Sequence, residues 1–104
     1  MLSKLSSVNN RYEEVERLLS DPKTLSDMRL FAKLNKEYKD LKPIVAAYHR
    51  YKKIAEDIDN AKMLLKSEKD VEMLAMAKAE IEELLPQKEK LEQEVRELLV
   101  PKDP

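Results

Sequence analysis

The sequence predicts an all-α fold, with three to four antiparallel helices in an elongated hairpin or bundle and a long final helix bent at a proline. Three observations carry this. Apolar residues recur at steps of three, four and seven along most of the 104 residues. Glycine is absent and the aromatics are only Phe31 and four tyrosines, so the Gly-rich hairpins and aromatic packing of sandwiches and barrels are missing. Charged residues make up 39% of the chain and the mean hydropathy is −0.64, which suits thin, largely solvated helices.

The first helix is written in Met1, Leu5, Val8, Tyr12, Val15 and Leu19, with Leu2 and Leu18 widening the stripe. Ser20, Asp21 and Pro22 stop it near Leu19, because the residue before a proline avoids the α region. Ser26 offers a hydroxyl cap for a second helix, with Asp27 beside it to favour the positive end of the dipole. Phe31, Leu34, Tyr38 and Leu41 line its face. Pro43 admits two readings, a kink in one long helix or a short break that starts a third helix, and the break is the preferred expectation.

From Ile44 a heptad row runs through Tyr51, Ile58 and Leu65, and Ala47, Ile54 and Ala61 repeat three residues later. Lys66 to Asp70 makes the next turn, with Ser67 and Asp70 spaced as a capping box. The last helix is expected from Glu68 to Leu99, with one row of Leu74, Ile81, Lys88 and Val95 and another of Ala77, Leu84, Leu91 and Leu98. Pro86 removes one backbone hydrogen bond within it and crowds the carbonyl of Glu82, so a bend is expected there. Lys88 in the seam suggests that the partner helix ends near it. The domain is thus expected over 1–100, with 101–104, opened by Pro101 and closed by Pro104, as the start of a linker.

The composition also excludes chemistry. P-loops and dinucleotide fingerprints need glycine where a side chain would collide with phosphate, and there is none. Without cysteine there are no disulfides, thiolate nucleophiles, iron–sulfur clusters or Cys-based zinc sites, and the chain reads as cytoplasmic. No apolar run approaches a membrane span and the N-terminus lacks a signal-peptide core, so no membrane partner is expected. His49 stands alone, adjacent carboxylates such as Glu13 and Glu14 or Glu82 and Glu83 diverge around a helix, and Glu92 with Arg96 has the spacing of a surface ion pair. No enzyme, metal or cofactor is expected. The tyrosines at 12, 38, 48 and 51 read as core rather than as a base-stacking platform.

Charge is unevenly spread. Residues 1–42 carry nine bases and seven acids, 43–66 five and three, and 67–104 six and eleven. A chain devoted to clamping nucleic acid would show a strong basic stripe. The densest basic cluster here is Arg50, Lys52 and Lys53, the candidate contact for a phosphate backbone.

Several stretches together resemble a known family. Residues 11–22, Arg-Tyr-Glu-Glu-Val-Glu-Arg-Leu-Leu-Ser-Asp-Pro, then Lys36-Glu37-Tyr38 with Leu41, Pro43-Ile44-Val45 and Tyr48, and the exit Leu98-Leu99-Val100-Pro101-Lys102-Asp103-Pro104, are similar to the amino-terminal helical domain of bacterial class-I peptide chain release factors, of the type that reads UAG and UAA. The resemblance spans the whole chain. It implies a domain of a longer translation termination factor, lacking the codon-reading tripeptide and the Gly-Gly-Gln loop that act in stop-codon-dependent peptide release. By the same resemblance the domain docks and positions the factor at the base of the ribosomal stalk, against ribosomal RNA and protein, and is linked to the GTPase that recycles the factor.

Two rival readings stay open. A tRNA-binding helical arm should be basic along its tip, whereas the final segment here is strongly acidic. A coiled-coil scaffold or chaperone module should self-associate through its heptads. Exposed heptad positions in the last turns could also pair isolated copies of a release-factor domain.

Overall fold

The computed structural model describes residues 2–100, and these form four helices with no strand. Helix α1 spans Leu2–Leu19, α2 Pro22–Leu25, α3 Met28–Ser67 and α4 Val71–Leu99. The expected linker at 101–104 and the apolar Met1 lie outside the described residues. The chain divides into two compact units, Met1–Tyr48 and His49–Pro104, with α3 contributing to both.

In the first unit α1 ends at Leu19 as its stripe predicts. Leu5 and Val15 are fully buried, Val8, Tyr12, Leu18 and Leu19 half-buried, and Leu2 exposed. The amides of Ser20 and Asp21 turn back onto the carbonyls of Arg17 and Leu18, each at 3.1 Å. Pro22 then opens a helix as well as closing one. Asp21 is extended, its carboxylate accepts from the Lys23 amide at 2.9 Å, and Pro22 occupies the first turn of α2, where its missing N–H costs nothing.

The expected cap at Ser26 is corrected. Ser26 ends α2, its hydroxyl donating back to the Lys23 carbonyl at 2.9 Å, and Asp27 caps α3 by accepting the Leu30 amide at 3.1 Å. The reason is register: with Met28 first in the helix, only the residue before it can reach the amide two residues further on. Leu34 is buried and Tyr38 and Leu41 half-buried, but Phe31 is exposed.

The expected break at Pro43 does not occur. Helix α3 is continuous for 40 residues with Pro43 inside it. Pro43 and Lys39, whose carbonyl loses its donor, are both on the exposed side, where water can satisfy that carbonyl. Beyond the proline, Val45 and Ala47 are buried, and that burial favours continuing the helix against the local cost. Helix α4 likewise runs unbroken through Pro86, where Pro86 and Glu82 are again exposed.

In the second unit Tyr51, Ile58 and Ala61 of α3 and Ala77, Leu91 and Val95 of α4 are buried. The 3.5-residue seam does not hold to the end of α3: Leu65 is exposed, while Leu64 is half-buried.

Residues 68–70 reverse the chain. The Glu68 carboxylate accepts the amides of Lys69 and Asp70 at 3.0 and 3.1 Å, and those two donors, Asp70 first, hold its pKa below the usual carboxylate range. Asp70 caps α4 by accepting from the Glu72 amide at 2.9 Å. The expected Ser67–Asp70 box is therefore absent, because Ser67 is still helical and its hydroxyl donates to the Met63 carbonyl. No described residue has a positive φ, so both reversals are made by Asp, Ser, Glu and Pro without the left-handed residue glycine would supply.

Candidate functional site

The basic cluster expected at Arg50, Lys52 and Lys53 is divided by the helix. Arg50 and Lys53 are three residues apart and share a face, whereas Lys52 points elsewhere. Arg50 and Lys53 line a groove of about 530 Å³ together with His49 and Ile54 of α3. Across it stand Gln87, Lys90, Leu91 and Glu94 of α4. Leu91 is buried and Ile54 half-buried, so they form an apolar floor between polar rims.

The groove's electrostatics are set by exposed ion pairs. Arg50 Nη2 lies 3.5 Å from Glu94 Oε2 across the groove, and Lys53 Nζ lies 3.0 Å from Asp57 Oδ1 one turn along its own helix. The hydrogen bond to Asp57, before any other influence, raises the Lys53 pKa. Lys52 makes no ion pair with the described residues, and Lys90 and Gln87 complete a rim that the linear reading missed. They sit nearly forty residues further along the chain, and only the α3–α4 pairing brings them beside Arg50.

Next to the groove the seam is locked by a different set. Tyr51 is buried, and its hydroxyl donates to Glu92 Oε1 at 3.2 Å. Burial first, then the Glu92 charge, raises the pKa of Tyr51. Lys88 Nζ lies 6.0 Å from the Tyr51 ring centroid, a cation–π contact. Lys88 in the seam thus marks packing against α3, not the end of its partner helix. Arg96 reaches Glu92 at 3.6 Å, the surface pair read from their spacing.

The four tyrosines are buried or half-buried, as the core reading expected. Tyr12 and Tyr38 stack with centroids 4.6 Å apart and planes at 30°, and the Tyr38 hydroxyl reaches Glu16 at 3.5 Å. Hydrogen bonding with Tyr38, then burial and the neighbouring charges, pushes the Tyr12 pKa up to about 12. Among the described residues no group of three or more His, Asp or Glu is arranged to hold a metal, and no helix is long and apolar enough to cross a membrane.

No solved structure matches the chain. The PCRF domain model matches residues 8–104. The chain is 45% identical over all 104 residues to peptide chain release factor 1 of Cytophaga hutchinsonii, 46% to that of Parabacteroides distasonis and 44% to that of Enterococcus faecalis. In each case the whole chain is aligned, and it spans 29%, 28% and 29% of those relatives. A family model that matches residues 8–104, with relatives about 45% identical over all 104 residues, leaves one conclusion: this chain belongs to the PCRF domain family.

Proposed function

We propose that the chain serves a bacterial translation termination factor as its helical docking and positioning module in stop-codon-dependent peptide release. The observation that carries this is end-to-end identity near 45% to proteins named peptide chain release factor 1. The chemistry agrees with a module that does not itself hydrolyse. Its 104 residues hold no glycine, hence no Gly-Gly-Gln element, and the groove holds no nucleophile beside a base.

Its partner on this reading is the ribosome in the cytoplasm, at the base of the stalk, with the recycling GTPase as a second partner. Arg50, Lys52 and Lys53 form the ribosome contact. Lys52 meets RNA phosphate, since it alone of the three is exposed without a carboxylate partner among the described residues. Pelleting of the chain with ribosomes at increasing salt tests this. The wild type is expected to cosediment, and replacing all three residues with Ala is expected to weaken binding and flatten its salt dependence. Unchanged affinity and slope would remove the assignment.

A further inference from the structure

The groove between α3 and α4 has an apolar floor and a third cation, Lys90, that a phosphate contact through Arg50 and Lys53 does not explain. Its rim carries three cations, Arg50, Lys53 and Lys90, against the single carboxylate Glu94, on a chain whose net charge is −1. Its floor is Ile54 and Leu91. A nucleic acid would use the cations but leave the apolar floor uncovered, and no tyrosine or phenylalanine lines the groove for a base to stack on. A purely apolar ligand would use the floor and strand the cations. A ligand that satisfies both has apolar side chains flanked by carboxylates.

We propose that this groove binds an acidic amphipathic helix of a partner protein, which seats Leu-like side chains on Ile54 and Leu91 and sets its carboxylates against Arg50, Lys53 and Lys90. Helix-in-groove recognition uses anchors at i, i+3, i+4 and i+7, and a ledge between two paired helices suits such a row. In the existing pairs, Arg50 with Glu94 at 3.5 Å and Lys53 with Asp57 at 3.0 Å, both cations are solvent-exposed and can turn to an incoming carboxylate. Glu94 opposes such a ligand and partly neutralises Arg50. Its removal is therefore the sharpest probe.

The experiment is fluorescence anisotropy of the 104-residue chain with a labelled helical peptide bearing Leu at the anchor positions and Glu beside them. Its Leu→Ser and Glu→Gln counterparts and a labelled single-stranded RNA complete the set. The acidic peptide is expected to bind with Kd of order 10 μM, and either counterpart to bind about tenfold more weakly. Glu94→Gln is expected to tighten the acidic peptide several-fold, and Lys53→Glu with Lys90→Glu to abolish its binding while circular dichroism stays helical. A gain of affinity cannot come from misfolding. Equal binding of the Leu→Ser peptide, tighter binding of the RNA, or no effect of Glu94→Gln would each overturn the proposal. The ribosome reading is tested apart from the groove by pelleting Lys52→Ala, a residue outside the groove lining, with ribosomes, so the two readings fail separately.

Discussion

Arg11 grips Glu37 with two parallel hydrogen bonds, Nε to Oε2 at 2.6 Å and Nη2 to Oε1 at 2.8 Å, and thereby ties α1 to α3. The remaining nitrogen, Nη1, holds Glu14 at 2.7 Å, so one guanidinium serves two carboxylates. The forked geometry fixes orientation as well as proximity. The hydrogen bond from Arg11, ahead of its charge, holds Glu37 below the usual carboxylate range, and the same pairing raises Arg11 above its ordinary value.

A pH dependence follows with a definite sign. Glu37 binds its proton more weakly in the folded state than in the unfolded one, so its contribution is present above the unfolded carboxylate pKa of about 4.3 and is lost as pH falls through the depressed folded value. Urea denaturation from pH 7 to pH 3 should show stability falling on the acid side. In Glu37→Gln part of that fall should vanish. Arg11→Lys should weaken the link even though charge is kept, because an ammonium cannot form the fork.

The tyrosine pair gives an alkaline counterpart. With its pKa pushed up to about 12, Tyr12 favours the folded state fully below the unfolded value of about 10, and that support is lost as pH rises through the folded value. Absorbance titration of phenolate formation is expected to show a component near 12 that disappears in Tyr12→Phe.

Pro43 distinguishes a continuous helix from a broken one. Because α3 passes through it, Pro43→Ala restores an amide donor to the Lys39 carbonyl in a helical setting. The gain in helix propensity, less the added freedom of the unfolded chain, should stabilise the protein by about 1–2 kcal/mol. A helix ending at Leu41 or Lys42 would show no such gain. Thermal unfolding of the variant decides between them.

Core and surface leucine-sized residues should separate cleanly. Leu5 is fully buried, and Leu5→Ala is expected to cost about 2–4 kcal/mol in urea unfolding. Met28 is 83% exposed, and Met28→Ala should stay within about 0.5 kcal/mol.

Periodicity made the helices legible: the stripe through Leu5, Val15 and Leu34 and the seam through Tyr51, Ile58, Ala77 and Leu91 are buried where their spacing places them. The joints were less legible because their chemistry is decided by register. Ser26 and Ser67 look like caps, yet the neighbouring Asp27 and Asp70 hold the amides, since each directly precedes the first helical residue. Pro43 looks like a break because sequence records its local cost but not the exposed position that makes the cost tolerable. Of the candidate site, Arg50 and Lys53 were visible as a cluster. Lys90 was not, because no local pattern links it to α3.

The most direct test is peptide release from stop-codon-programmed ribosomes. It is carried out with the chain alone and with a chimera in which the chain replaces the matching segment of the Enterococcus faecalis relative. The expected result is no release by the chain alone and stop-codon-dependent release by the chimera near the rate of that unmodified relative. Release by the chain alone, or a folded chimera that no longer releases, would contradict its role as the docking and positioning module of a termination factor.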